Sequence, residues 1–182
     1  MPQSILDLVR RLPQSAAFVT SATLDVLAWN DLAAALMEDF SAVPRRDRNL
    51  VRRVFLGPHR EGRRLYGVSD SDAFARRAAR RLRAAAARYP DAPEVTGLVD
   101  ELLAGSPEFA ALWASHEVEG PHTLCKTFRH PMVGPVVVNC DTLDIADRDQ
   151  QVVIYTAVPG SPSEEALRLL SVIGTQRMDV PH

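Results

Sequence analysis

The sequence predicts an α+β domain built on a five-stranded antiparallel sheet, and three observations predict it. Runs rich in β-branched and aromatic residues fall in two groups, within residues 16–29 and 122–158. The stretch between them repeats its apolar positions at helical spacing instead. A last segment, SPSEEALRLLSVIG from 161 to 174, carries helix start and stop signals. Strands and helices are thus segregated along the chain, which is the mark of α+β architecture and not of a parallel α/β sheet.

With 182 residues, 46% of them hydrophobic and 24% charged, the chain has material for one core without metals or disulfides. No apolar run reaches the roughly 20 residues that span a bilayer, and the N-terminus lacks the basic-then-apolar layout of a secretory signal. These features set the expectation of a cytoplasmic protein with no membrane partner. Two cysteines, far apart, argue against a secreted disulfide scaffold. We divide the chain into a lead-in helix and linker over 1–15, one domain over 16–175 and a tail over 176–182.

Each element follows from local signals. ILDLVRRL at 5–12 is amphipathic and stops at Pro13. Short strands are expected at 16–21 and 25–29, turning near Thr23 to Asp25, and Asn30 is placed to cap a helix over 31–40. A helix over 46–56 puts Leu50, Val51, Val54 and Phe55 on one face and ends at Gly57 and Pro58. A polar loop over 57–70 precedes the longest helix, 72–89, whose stripe is Phe74, Ala78, Leu82, Ala85 and Tyr89. Asp91 and Ser106 are expected caps for helices with proline in their first turns. Strands at 122–130, 134–145 and 150–158 form a meander, and Ser161 with Glu164 makes a capping box. Two strands, helices, three strands and a closing helix is the order of a PAS-like domain, a five-stranded antiparallel sheet covered on one face by helices. The helical insert here is enlarged, leaving room for a cavity between helices and sheet.

The net charge of −2 conceals an asymmetry: residues 45–90 carry +10, residues 1–44 carry −3 and residues 91–182 carry −9. The arginines of 72–89 spread around the helix without an aromatic platform, the pattern of a solvated surface or protein contact more than of phosphate docking. No nucleophile elbow, phosphate loop, zinc-protease motif or C-x-x-C is present, so no enzyme and no cofactor are expected. His116, His122, Cys125 and His130 lie close in sequence, but their spacing fits no standard zinc pattern. A hairpin turning over Pro131 to Gly134, with His130 facing Pro135, would oppose Cys125 to Cys140 and Lys126 to Asn139, with Asp141 diagonal. Such thiols form either a redox pair or two small buried hydrophobes.

Lys126 is the only lysine, and it alternates with Leu124 and Phe128 on a face patterned for a core. An ammonium there must keep water, find an anion or lose its proton. Asp141 would make a structural pair; a ligand carboxylate is the alternative, and periodicity does not choose between them.

Several strings in order resemble the ligand-binding domain of MmyB-like transcription regulators: LDVLAWN at 24–30, RRVFLGP at 52–58, the run from LRAAAARYP to ASHEV over 82–118, Lys126, HPMVG at 130–134 and IYTAVPGSPSEEALRLL at 154–170. That resemblance implies a PAS-like sensor domain with a pocket for fatty-acid-like molecules, following a helix-turn-helix that would make the DNA contacts and that this chain does not show. From their placement we choose Trp29, Phe40, Phe55, Leu112, Trp113, Phe128 and Tyr155 as wall residues, with Lys126, His116 and His130 as polar candidates. The expected partner is a hydrophobic small molecule, with a homodimer as the assembly. The other functional class is an interaction or dimerisation module with no physiological ligand. Lys126→Ala is expected to weaken carboxylate binding more than stability.

Overall fold

Asn30 ties the first three elements together. In the computed structural model, which describes residues 2–57, 66, 68–115, 125–146 and 148–178, its carbonyl accepts from Ala33 N at 2.9 Å and from Ala17 N at 3.1 Å. Its amide donates to the Ser15 carbonyl at 2.8 Å and the Leu12 carbonyl at 3.1 Å. One buried side chain therefore caps helix α2 (Asp31–Leu36), holds strand β1 (Ala16–Thr20) and satisfies carbonyls that helix α1 (Gln3–Arg10) leaves behind it. Strand β2 (Val26–Trp29) pairs antiparallel with β1 across a turn in which Leu24 has φ +64°. That left-handed conformation is costly for a leucine, and the buried side chain is held there by packing.

Beyond α2 come two short 3-10 turns, Phe40–Ala42 and Arg45–Arg48, and helix α3 (Leu50–Phe55). The single helix expected over 46–56 is split, because Asn49 accepts from Arg52 N at 2.9 Å and starts a new helix as its cap. Likewise the helix expected over 31–40 stops at Leu36, and Asp39 caps the turn that follows. Helices α4 (Ser71–Arg88), α5 (Pro93–Gly105) and α6 (Pro107–Ala114) follow. Ser106 caps α6 as expected, accepting from Phe109 N, whereas α5 starts after Ala92 with no side-chain cap, so Asp91 does not serve.

Strands β3 (Cys125–His130), β4 (Gly134–Ile145) and β5 (Gln150–Thr156) complete the sheet, in the order β2-β1-β5-β4-β3 with every pair antiparallel. Helix α7 (Pro162–Met178) closes the described chain, running through Gly174 where a stop was expected. Ser161 and Glu164 form its cap: Glu164 N donates to Ser161 Oγ, and the Glu164 carboxylate accepts from Gly160 N.

The β3–β4 register differs from expectation by one residue. Gly134, at φ +76°, opens β4 and closes a three-residue loop, so His130 faces Gly134, Lys126 faces Val138 and Cys125 faces Asn139. A one-residue shift exchanges the faces of a strand. Cys140 therefore points into the core while Cys125 is exposed, and the two thiols do not meet.

The architecture is α+β and PAS-like. The inner face of the sheet carries Phe18, Phe128, Val136 and Tyr155 into a core completed by α2 through α7. The alanines of α4, at 75, 78, 79 and 85, let that helix approach closely. On the opposite face α1 lays Ile5, Leu6 and Val9 over Ala17, Val19 and Val152, giving the lead-in helix a second, smaller core of its own.

Candidate functional site

Between the inner face of the sheet and α4 lies a cavity of about 80 Å³. Its floor alternates along the strands: Phe18 and Thr20 from β1, Tyr155, Val153 and Gln151 from β5, Cys140 and Thr142 from β4, Phe128 and Lys126 from β3. Its roof is one face of α4, with Phe74, Arg77, Ala78 and Arg81 at the i, i+3, i+4, i+7 spacing that brings side chains to one side of a helix.

Lys126 is 4% exposed. Its ammonium stands 3.3 Å from Asp70 Oδ2, beneath the Phe74 ring at 5.7 Å and beside the Tyr155 ring at 5.9 Å. Arg77 reaches the same oxygen at 3.8 Å. Asp70 has a side chain only 7% exposed, yet neither of its oxygens makes a hydrogen bond among the described residues. The contact is therefore charge against charge without a directed bond, which is a poor return for desolvating both groups. Asp70 occupies the N-cap position of α4 but turns its carboxylate away from the helix amides towards Lys126. Its neighbour Ser69 is stitched to the edge of β3: Ser69 N donates to the Thr127 carbonyl at 3.0 Å, and Thr127 N donates to Ser69 Oγ at 3.1 Å. The start of α4 is thus fastened to the strand that carries the lysine.

Arg81 closes the other end, donating to the Ser21 carbonyl at 2.9 Å and the Ala22 carbonyl at 3.3 Å. Burial lowers its pKa, opposed by Asp144 and Asp149. Burial pushes the Tyr155 phenol well above its ordinary value and raises the Cys140 thiol, so both stay protonated and neither is a poised nucleophile.

Comparison with protein families settles what kind of domain encloses this cavity: the model of the MmyB-like transcription regulator ligand binding domain matches residues 1–170. The chain belongs to this family. Among curated proteins none matches it. As a MmyB-like domain it is of the kind that serves as the ligand-binding part of a transcription regulator.

Of the side chains chosen from sequence, Lys126, Phe128 and Tyr155 come together at the cavity wall. Trp29 and Phe40 pack on each other at 5.3 Å, with the Arg48 guanidinium over the indole, and reach the cavity only through Tyr66, 6.4 Å from Phe40. Phe55 meets Phe109 at 5.1 Å and Phe109 stacks on Trp113 at 5.4 Å, a cluster of α3 and α6 away from the wall. The Leu112 carbonyl accepts from Arg83. The His130 ring takes the Met132 N–H on Nδ1, so Nε2 is the protonated nitrogen and donates to the Ala35 carbonyl at 3.0 Å, tying the hairpin to α2. His116 lies outside the described residues. The partner of Lys126 is Asp70; Asp141, the candidate from sequence, is exposed on the other face of β4. Asp70 went unnoticed because it falls in a segment that reads as loop. Arg77 and Arg81 read as solvated surface because α4 bears arginines on several sides.

Proposed function

We propose that the cavity binds a carboxylic acid with a short aliphatic chain, its head group held by Lys126 and its chain against Phe18, Phe128, Val153 and Tyr155. The observation that carries this reading is the buried lysine facing an apolar hollow, balanced by a carboxylate that makes no hydrogen bond among the described residues. Three cations, Lys126, Arg77 and Arg81, adjoin the cavity, and among the described residues Asp70 and Asp144 stand against them, so the site favours an anion. A space of about 80 Å³ suits the small end of the fatty-acid class. Drug-sized ligands occupy pockets of roughly 300–1,000 Å³, so a long acyl chain requires α4 to move outward.

A bound acid competes with Asp70 for the ammonium. The released carboxylate is already at the N-cap of α4, where it accepts from the first-turn amides. Ligand thereby shifts α4 between two arrangements through its differential affinity for them. The domain works without catalysis or cofactor, in the cytoplasm, as the sensing part of a regulator whose DNA contacts belong to a helix-turn-helix outside these residues.

Lys126→Met with Asp70→Asn removes both charges without stranding either. Isothermal titration with hexanoate is expected to show binding to the native chain and its loss in the double variant; equal affinity in both would remove the head-group role. A second reading, a dimerisation module, draws on Val137 and Leu143, 43% and 54% exposed on the outer face of β4. Native mass spectrometry separates the two: an acyl-sized mass retained on the chain favours sensing, and a bare dimer favours the module.

A further inference from the structure

The cavity has a second polar end that the head-group reading leaves unused. Thr20 is 1% exposed, lines the cavity, and its hydroxyl has no hydrogen-bond partner among the described residues. A buried hydroxyl left unpaired is uncommon in native proteins and calls for an explanation. Arg81 faces the same end: its Nε donates to the Ala22 carbonyl and one Nη2 hydrogen to the Ser21 carbonyl, leaving further guanidinium donors for another acceptor. Gln151, paired with Thr20 across β1 and β5, and Thr142 complete the polar rim there. From Phe74, above Lys126, to Arg81 is seven residues of α4, about 10 Å at 1.5 Å per residue. The floor between is apolar, made by Phe18, Val153 and Tyr155, with Arg77 and Ala78 above it.

Charge agrees with geometry. Among the described residues, Lys126, Arg77 and Arg81 set against Asp70 and Asp144 leave a formal excess of one positive charge around the cavity. Asp144 accepts from the neutral Gln151 and keeps its charge, whereas Asp149, which also acts on Arg81, binds Arg88 and Tyr89.

We infer that the ligand is oxygenated at both ends, an aliphatic acid whose far carbon carries a second carboxylate or a hydroxyl that bonds Thr20 and Arg81. This rests on the proposed role of Lys126 and adds the chemistry of the opposite pole. A plain alkyl terminus would leave the Thr20 hydroxyl and the Arg81 donors without partners, and sites built to bond an oxygen reject analogues lacking it.

The test is titration of the native chain with hexanoate, adipate and ω-hydroxyhexanoate, repeated on Thr20→Val and Arg81→Gln. Thr20→Val keeps the shape and removes only the hydroxyl. Adipate or ω-hydroxyhexanoate is expected to bind about tenfold more tightly than hexanoate, the worth of one or two hydrogen bonds. The advantage should shrink towards unity in Thr20→Val, and Arg81→Gln should reduce adipate binding more than binding of the hydroxy acid. Hexanoate binding as tightly as both oxygenated acids overturns this inference, marks the far end as a solvated pole and leaves the Lys126 reading standing. An oxygenated-acid advantage that survives both substitutions also overturns it. Failure of all three acids to bind removes the head-group reading, and this one with it.

Discussion

Two carboxylates of this domain meet two cations each, and they do so in opposite ways. Glu101 on α5 receives Arg46 at 2.7 Å and Arg52 at 2.5 and 2.9 Å, with a side chain 28% exposed. Its pKa falls to about 2, chiefly through the Arg52 hydrogen bonds. Asp70 is far more buried and, among the described residues, makes no hydrogen bond but only the charge contacts at 3.3 and 3.8 Å. A cluster formed to fasten helices has its lone pairs filled, as at Glu101, which joins α5 to α3 and the turn before it. The buried pair keeps its bonding capacity unspent beside the cavity, an arrangement that suits exchange of partners more than permanence.

The largest effect that can break this contrast is Lys126→Ala. It leaves Asp70 buried with only Arg77 at 3.8 Å, and loss of one partner of a buried pair costs about 3–5 kcal/mol. A large loss is therefore expected in denaturant unfolding, beside the weakened carboxylate binding expected from sequence. The double change Lys126→Met with Asp70→Asn should recover most of it; if it does not, the pair is a structural requirement after all. Next comes Glu101→Gln, expected to cost about 1 kcal/mol at neutral pH because solvent and salt screen this cluster. Since the folded pKa lies below the ordinary 4.5, that stabilisation is complete above about pH 4.5 and is lost as pH falls towards 2. Native and variant melting curves should converge over that window. Smallest, and of opposite sign, is Thr20→Val: removing an unpaired buried hydroxyl should raise stability by up to about 1 kcal/mol in the ligand-free chain. A loss of stability would mean that the hydroxyl has a partner, such as a fixed water.

The same contrast shows why the fold was more legible than the site. The cap bonds of Asn30, Ser106 and Ser161 each reach only to the amide three residues on, so cap chemistry and periodicity located the helices. Asn49 hid inside an apolar pattern of helical period, and only its cap geometry splits the segment in two. The β3–β4 register turned on the backbone angle of one glycine, which a sequence does not display. Lys126 stood out as a lone cation on an apolar face, but its partner lies fifty-six positions upstream at the start of a helix, a distance no local pattern spans. Aromatic residues were a poor guide to the wall. Trp29, Phe55 and Trp113 satisfy themselves by stacking with other rings and arginines, while Thr20, Arg77 and Arg81 reach the cavity through positions that read as strand filler and surface.

Because Lys126 is the single lysine of the chain, uniform 15N labelling gives one lysine ammonium signal to watch by NMR beside the backbone amides. Titration with hexanoate should move that signal saturably, in step with the backbone amides of Asp70 and Ser71 at the start of α4. A lysine signal that stays fixed while other amides report bound acid would contradict the account, because the acid would then be held without the buried ammonium.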